Sequence, residues 1–288
     1  MKTNFFRTVS IIYKNKFVNP YFATFRHVLW AFRKVFNIFP CDLKLGGLIV
    51  RVANLSVANG IGALVNAMEY YDPNNMLMLK EIFKTGLYNT FFDVGANVGV
   101  YSLLMAGQKK FVSGFAFEPH PKTFMLLQEN VNINDLDNRV SCVQIALGES
   151  DGVVSFMNEA GNPENHIING MGDGGLEVNI QRAEKICERE NFHPQVLKID
   201  VEGFENQVLA GFGILSLSKV QIVFIECWNL PETIRILCKQ SGFKGPYKVD
   251  YKRRKLVNEN IHDEDWVFIN PRAVPVLCDD LKFEIPRD

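Results

Sequence analysis

The sequence lacks the patterns that mark secreted, membrane-spanning and zinc-binding proteins. Its six cysteines are scattered, with no CxxC pair and no cysteine–histidine cluster at zinc spacing, so we expect buried free thiols and no disulfide framework. No uninterrupted apolar run in the first forty residues approaches the roughly 18–20 residues that span a bilayer, and no signal-peptide cleavage pattern occurs there. These absences favour a cytoplasmic protein.

Acidic residues are missing from the start of the chain. Asp42 is the first of them, and seven lysines and arginines precede it. The 288 residues together nevertheless carry a net charge of -1, which argues against a nucleic-acid-binding surface spread over the whole molecule. We therefore expect no nucleic-acid partner, but a local basic segment at residues 1–40.

A predicted helix in this basic segment has one apolar face. The members of that face are Phe25, Val28, Leu29, Phe32, Val35, Phe36 and Phe39. Two interpretations remain open. The face packs on the main domain, which is the commoner use of an apolar stripe, or it lies on the anionic inner face of a membrane. A short β-hairpin is predicted over 43–55, which gives an extension over residues 1–60 and a main domain over 61–288.

Regular alternation of strands and helices begins at residue 90. Strand-length apolar runs occupy 90–94, 112–118, 140–146, 195–200 and 220–226, helical segments occupy 99–108, 121–133, 177–190, 203–211 and 231–241, and two late runs lie at 246–251 and 266–270. This order predicts an α/β fold with a mostly parallel, doubly wound sheet and helices on both faces. Ligands bind such sheets at the carboxyl ends of the strands, so we look for functional residues there.

The first strand of this series ends in Asp93-x-Gly95-x-Asn97-x-Gly99 and leads directly into a helix. Glycines at these spacings allow a sharp turn and a close approach to a ligand, which indicates a nucleotide cofactor. The loop does not match the G-x-G-x-x-G pattern of dinucleotide-binding proteins, and Asp93 would repel a pyrophosphate. The same carboxylate suits the cationic methionine end of S-adenosylmethionine, so the charge favours this methyl donor over NAD.

The second and third strands supply candidates for binding the rest of the cofactor. Glu118 ends the second strand, where a carboxylate can accept hydrogen bonds from the two ribose hydroxyls, and Pro119 stiffens the turn that follows. Gln144 and Ala146 lie at the end of the third strand, where we expect the adenine.

The fourth and fifth strands bring further carboxylates to the same edge. Alternation along an extended strand would point Lys198, Asp200 and Glu202 to one side, where the carboxylates can orient or deprotonate a hydroxyl. The fifth strand ends in Glu226. Three acidic strand ends could suggest a divalent cation, but no histidine accompanies them at a fixed spacing, and we predict no metal.

These motifs resemble the FkbM family of S-adenosylmethionine-dependent O-methyltransferases. The resemblance extends over roughly residues 60–270 and rests on DVGANVGVYSLLMA, FEPHPKTFMLLQENVNIN, QIALG, VLKIDVEGFENQVLAG, IVFIECW and DEDWVFIN. It implies a Rossmann-like class I methyltransferase fold that methylates hydroxyl groups, often on sugars, glycolipids or polyketides. By position, the 93–99 loop would line the methionine end, Glu118 the ribose, and Asp200 and Glu202 the transferring methyl group.

The glycine-rich stretch 161–175 does not align with these motifs, and we expect it to form a loop over the substrate. His166 in this stretch is a candidate general base. We predict O-methyl transfer to a small-molecule or lipid-linked saccharide, with residues 1–40 offering peripheral membrane contact. Three alternatives remain: a cofactor-binding module without turnover, an NAD-dependent oxidoreductase, and an N-methyltransferase. The last usually carries an Asn/Asp-Pro-Pro-aromatic motif after the fourth strand, where this chain has Asp200-Val201-Glu202-Gly203.

Overall fold

A computed structural model describes the protein over most of its length. The described residues are 10, 12–13, 17–36, 38–53, 65, 68–70, 72–110, 113–157, 166–168, 175–227, 229–258 and 265–286. The α-helices are α1 (Pro20–Val35), α2 (Pro73–Thr85), α3 (Val100–Ala106), α4 (Pro121–Asn132), α5 (Ala183–Arg189), α6 (Glu205–Leu217) and α7 (Glu232–Gln240). A 3-10 turn (Pro271–Ala273) and a π-turn (Val276–Asp280) follow the last strand.

The strands form three sheets. They are β1 (Cys41–Leu45), β2 (Leu48–Val52), β3 (Thr90–Val94), β4 (Ser113–Phe117), β5 (Val140–Val143), β6 (Ala146–Leu147), β7 (Gly152–Phe156), β8 (Leu176–Gln181), β9 (Val196–Ile199), β10 (Ile222–Glu226), β11 (Lys244–Asp250), β12 (Lys255–Val257) and β13 (Asp265–Ile269). The central sheet has eight strands in the order β12-β11-β13-β10-β9-β3-β4-β5. The strands from β5 to β10 in this order run parallel, and β13, β11 and β12 each run antiparallel to their neighbours.

This sheet confirms the predicted α/β fold with a mostly parallel, doubly wound sheet. The strand order reverses between β3 and β9, which come from the two halves of the chain and pair in parallel with Asp93 opposite Lys198. A reversal of this kind opens a crevice at the carboxyl ends of the two strands. The fold therefore places the 93–99 loop and Asp200 on either side of one crevice.

Two hydrophobic clusters cover the two faces of the central sheet. Neighbouring residues of β3 point to opposite faces, as expected for an extended strand, so Phe91 belongs to one cluster and Phe92 to the other. Phe91 packs edge-on against Phe83 of α2, and Phe92 packs against Phe117 of β4. The β3 strand is thus buried on both sides, as a central parallel strand requires.

The prediction of a helix over 177–190 is wrong in its first half. Residues 176–181 form β8, and α5 begins only at Ala183. Period-two burial explains the difference, because Val178 and Ile180 are buried while Glu177 and Asn179 are exposed. β8 lies between β6 and β7 in a three-stranded sheet, which also takes Ala146 out of the third central strand, in contrast to the prediction for 140–146.

The N-terminal helix packs on the domain with the face opposite to the expected one. The predicted hairpin is present as antiparallel β1 and β2. Ala23, His27 and Trp30 of α1 are buried, and Trp30 joins the same hydrophobic cluster as the hairpin. The predicted apolar stripe instead faces solvent, apart from its half-buried last member Phe39, which packs against Trp30. Our preferred orientation of this stripe toward the core is therefore wrong.

The predicted domain boundary at residue 60 lies outside the described residues and stays a prediction. Across the parts of the chain that the structure describes, no helix has both the length and the apolar character needed to cross a membrane. All six cysteines are free, and four of them are buried, which confirms the expected thiols.

Candidate active site

Four carboxylates lie at the carboxyl ends of neighbouring parallel strands. Asp93 lies in β3 near its end, Glu118 directly follows β4, Asp200 directly follows β9, and Glu226 ends β10. The main-chain N–H of Asp200 donates to the carbonyl oxygen of Val94 at 3.0 Å and continues the parallel ladder beyond the strand. The sequence predicted this shared edge correctly.

The glycine loop after β3 uses most of its own hydrogen-bond donors. The N–H groups of Gly95 and Ala96 both donate to the carbonyl oxygen of Phe117, and that of Gly99 donates back to Ala96. The N–H of Asn97 donates to the Glu118 carboxylate at 3.0 Å. A pyrophosphate needs free main-chain donors, so this loop is poorly suited to a dinucleotide.

Left-handed backbone conformations shape this loop. Gly95, Asn97 and Gly99 all have positive φ, at 80°, 51° and 87°. An added Cβ at Gly95 would overlap the carbonyl oxygen of Asp200, so this glycine is required by the close approach of two backbone segments. An added Cβ at Gly99 would press on the side chain of Leu127. Gly95 and Gly99 therefore allow the loop to pack closely against its neighbours.

Asp93 is tied to the helix that follows the loop. Its Oδ2 atom accepts hydrogen bonds from the hydroxyl of Ser102 at 2.6 Å and from the Ser102 N–H at 3.1 Å. Burial raises the pKa of Asp93 to about 6, against the opposing effect of these hydrogen bonds and of Lys198. Asp93 thus joins β3 to α3, and its predicted contact with the cofactor stays a prediction.

Glu118 connects the second strand to the loop. Its Oε2 atom accepts from the Asn97 N–H, and its Oε1 atom accepts from the His120 N–H at 2.9 Å. Burial raises the pKa of Glu118 to about 7. A carboxylate oxygen has two lone pairs, so each oxygen can still accept one more hydrogen bond. Pro119 lies in the turn between these groups and is buried with them.

The side-chain oxygen of Asn97 is a buried acceptor. Within the described part of the chain, its Oδ1 atom has no hydrogen-bond partner. A buried polar atom without a partner costs free energy unless a ligand or water satisfies it. Asn97 therefore offers an acceptor at the loop, in the position that the sequence assigned to the cofactor.

Gln144 and Ala146, the candidates from the third predicted strand, lie in different parts of the fold. Gln144 directly follows β5 and is exposed at the same edge of the sheet, so it can reach a ligand. Ala146 is buried in β6 of the small sheet. The roles of both residues at the adenine stay predictions.

Lys198 is the buried cation of the site. Its side chain is only 1% exposed, and its Nζ lies 3.3 Å from Asp200 Oδ2 and 3.5 Å from Glu226 Oε2. Burial lowers the pKa of Lys198, but the surrounding carboxylates outweigh this effect and raise it above its usual value. Lys198 is therefore a permanent positive charge that holds Asp200 and Glu226 together.

Asp200 and Glu226 form a coupled carboxyl pair. Burial, the charge of Asp200 and a hydrogen bond between the two carboxyl groups raise the pKa of Glu226 to about 8, against the attraction of Lys198. Two neighbouring carboxylates repel each other, which favours the protonated form of Glu226 near neutral pH. Asp200 is 25% exposed and Glu226 27%, so both can meet a substrate.

The sequence did not predict that Tyr101 and Asp72 lie beside Lys198 and this carboxyl pair. The ring of Tyr101 lies 5.0 Å from Lys198 Nζ, and its hydroxyl donates to Asp72 Oδ2 at 2.6 Å. Asp72 also accepts from the N–H of Asn75 as the N-cap of α2, and burial raises its pKa. The Asp72-Pro73 pair is a recognisable helix start, but no sequence pattern connects it with Lys198.

The other two proposed catalytic residues lie apart from the strand ends. Glu202 is exposed, with φ of 54°, in a turn after β9, so the strand alternation stops before it. Helix α6 begins instead at Glu205, which accepts from the Gly203 N–H. His166 lies beside β7, where its carbonyl oxygen accepts from the N–H of Met157. Most of the predicted 161–175 loop lies outside the described residues, and both catalytic roles stay predictions.

A metal centre does not emerge from these carboxylates. Among the residues that the structure describes, no group of three or more histidine, cysteine or acidic side chains could hold a metal ion. The buried ammonium of Lys198 occupies the position between the carboxylates that a cation would take.

Comparison with known proteins identifies the family. The model of the methyltransferase FkbM domain matches residues 93–244, which is slightly more than half of the chain. The chain belongs to the FkbM methyltransferase family. This confirms the resemblance seen in the sequence and makes the chain a methyltransferase.

Individual relatives are more distant. Methyltransferase sdnD of Sordaria araneosa is 28% identical, and the match covers 57% of this chain and 80% of that protein. Hexuronic acid methyltransferase AglP of Haloferax volcanii is 30% identical, and the match covers 48% of this chain and 55% of AglP. This chain therefore spans about half the length of AglP. The crystal structure of methyltransferase FkbM from Methylobacillus flagellatus KT matches with 14% identity and a TM-score of 0.43, covering 74% of this chain and 56% of that one.

Proposed function

We propose that this chain is an S-adenosylmethionine-dependent O-methyltransferase that acts on a hydroxyl group of a saccharide, a glycolipid or a related glycan precursor. The observation that carries this proposal is the part-exposed Asp200–Glu226 pair at the strand ends, in which the Asp200 main chain packs against Gly95 of the glycine loop. The family membership supports the methyl donor.

The residues of the loop fit this donor. Glu118 has lone pairs for two ribose hydroxyls, Asn97 offers a buried acceptor, and the carboxylates at the strand ends favour a cationic amino acid group. When bound, S-adenosylmethionine supplies a methyl group that its sulfonium already activates. The protein then has to orient the acceptor oxygen and receive one proton.

Asp200 is the group that we assign to receive this proton. Glu226 holds a proton near neutral pH because its pKa is raised to about 8, so we assign the proton-accepting role to its neighbour Asp200. Lys198 fixes Asp200 from the buried side, so the carboxylate keeps its position while its exposed side meets the acceptor hydroxyl. His166 and Glu202 remain further candidates on the acceptor side.

A saccharide acceptor is supported by AglP, which is a hexuronic acid methyltransferase. A hexuronic acid offers two kinds of oxygen, namely hydroxyl groups and a carboxylate. Even with Glu226 protonated, the carboxyl groups of Asp93, Asp200 and Asp265 outnumber the single ammonium of Lys198, and this negative site disfavours an anionic acceptor group. We therefore favour the hydroxyl.

The test combines binding and product analysis. Calorimetric titration with S-adenosylhomocysteine and with NAD should give binding of the first alone. Transfer of a labelled methyl group to uronic-acid and neutral oligosaccharides should give an ether that survives alkali. Release of the label by alkali would reveal an ester and overturn the hydroxyl assignment. Binding without transfer to any saccharide would instead favour a module without turnover or a nitrogen acceptor.

A further inference from the structure

Helix α1 presents a continuous apolar face to solvent. Eight neighbouring positions contribute to it, and each side chain is more than two-fifths exposed: Tyr21, Phe22, Phe25, Val28, Leu29, Phe32, Val35 and Phe36. At 100° per residue these side chains fall on one side of the helix, and no described segment of the chain covers them. Apolar faces of this size on a folded domain mark an interaction surface.

The opposite face of α1 fixes the helix to the protein. Trp30 is 3% exposed and packs edge-on against Phe39 at a ring distance of 5.4 Å. Arg26 forms an ion pair with Glu69, which Lys44 of the hairpin also contacts. Because this face is already packed, the apolar face cannot turn inward without breaking these contacts. Its exposure follows from the fold.

Positive charge lies on one flank of this face and near the start of the helix. The first 41 residues contain seven lysines and arginines and no acidic residue. Arg26 and Arg33 lie on one flank of the apolar face, about 90–110° from its centre by helical geometry of about 100° per residue. The basic turn at residues 252–254 adds more charge nearby, because Lys252 Nζ lies 4.5 Å above the ring of Phe17, just before α1.

We propose that α1 docks the protein on an anionic membrane surface, with its apolar face inserted at the headgroup boundary. Aromatic side chains flanked by lysine and arginine have the chemistry that such an interface selects. A second copy of the chain is a weaker occupant, since its α1 has no acidic residue that could pair with these cationic borders. Anionic headgroups neutralise the same borders.

Two contacts connect α1 with the surroundings of the active site. Glu69, which Arg26 holds, lies three residues before Asp72, and Asp72 accepts from the Tyr101 hydroxyl at the edge of the site. An acceptor carried on a lipid would then be methylated at the membrane surface. The docking itself goes beyond the proposed function and requires no particular acceptor.

Vesicle sedimentation of the full chain tests this proposal. We expect binding to phosphatidylcholine vesicles that contain about 30% phosphatidylglycerol, and binding at least about 10-fold weaker without the anionic lipid. The double variant Phe25→Ser/Phe32→Ser should bind at least about 10-fold more weakly, since it removes two apolar side chains from the interface. The matched control Met125→Ser/Leu215→Ser removes exposed apolar side chains from α4 and α6 and should bind like the unchanged protein.

Two outcomes would overturn the proposal. One is that the unchanged protein does not bind anionic vesicles, or that the Phe25→Ser/Phe32→Ser variant binds them as tightly as the unchanged protein does. The other is a dimer in sedimentation velocity without lipid that this variant converts into a monomer. Circular dichroism and urea denaturation check that the variants are folded. Vesicle binding is measured without methyl transfer, so it fails or succeeds independently of the proposed function.

Discussion

Gly95 and Asp200 touch through their backbones, and the carbonyl oxygen of Asp200 occupies the space that a side chain at position 95 would need. The contact joins the loop after β3 to the turn after β9, at the point where the strand order of the sheet reverses. The group that we assign to bind the cofactor and the group that we assign to take the proton are thus held at a fixed separation by main-chain packing.

Replacement of Gly95 by alanine should therefore damage both stability and cofactor binding. The added Cβ overlaps Asp200, and a φ of 80° is itself unfavourable for alanine. We expect a loss of about 3 kcal/mol in the free energy of unfolding, measured with urea. Calorimetry should show weaker binding of S-adenosylhomocysteine in the folded fraction.

Gly242→Ala separates the effect of the steric overlap from the effect of the unfavourable φ. Gly242 has a similar φ of 87°, but nothing lies within 4 Å of its Cβ position. This control should lose only the conformational part, about 1 kcal/mol, and should bind the cofactor product normally. Equal losses in the two variants would contradict a steric role for the Gly95–Asp200 contact.

Asp200→Asn should separate binding from turnover. The amide keeps the size of the side chain but cannot accept the acceptor's proton, so we expect kcat to fall about 100-fold or more. Binding of S-adenosylhomocysteine should change little, because the Asp200 main chain still packs against Gly95. Stopped-time assays with labelled methyl donor and calorimetry measure the two quantities.

Asp137→Asn, an exposed carboxyl change in the turn before β5, is the matched control and should leave both quantities unchanged. Normal turnover in a binding-competent Asp200→Asn variant would remove Asp200 from the proton-accepting role and direct attention to His166 or Glu202.

The sequence predicted the central sheet because its pattern is local. The strand over Thr90–Val94 and the helix that follows it came from one apolar run and one glycine loop, and the structure has them at these positions. Asp93, Glu118 and Asp200 were predicted to share an edge because parallel strands align their carboxyl ends. No tertiary information was needed for this part of the site.

The features that failed depend on packing partners distant in sequence. The pattern of α1 has two faces, and among the described residues the hairpin, Ile12 and residues 68–69 contact the buried one. Asp72 and Tyr101 reach the site from α2 and α3, so their link to Lys198 exists only in the folded protein. A strand was missed at residues 176–181 because its alternation is short and adjoins a helix.

Lys198→Met should destabilise the protein in a pH-dependent way. The variant leaves Asp200 and Glu226 without the buried ammonium that contacts both. We expect a loss of about 3 kcal/mol in the free energy of unfolding at about pH 8. The loss should be smaller at about pH 5, because the carboxyl groups can then be relieved by protonation.

Lys185→Met provides the comparison with a surface pair. Lys185 contacts Asp151 but is 60% exposed, so its removal should cost less than about 1 kcal/mol at either pH. Urea denaturation of the unchanged protein and both variants at the two pH values measures the four losses in the free energy of unfolding. A Lys198→Met loss as small as that of Lys185→Met would mean that the carboxylates do not depend on the ammonium.

Glu226→Gln should remove part of the pH dependence of stability. The carboxyl of Glu226 has an ordinary pKa of 4.5 when the chain is unfolded and a pKa of about 8 in the folded protein. Between these values the folded chain holds a proton that the unfolded chain has released, so stability falls as pH rises through this window. Glutamine does not ionise, and the variant should lose less stability than the unchanged protein between about pH 5 and about pH 8. Urea denaturation across this range measures the difference, with Glu232→Gln on the exposed start of α7 as the control. Parallel curves for the unchanged protein and Glu226→Gln would show that Glu226 is ionised in the folded state.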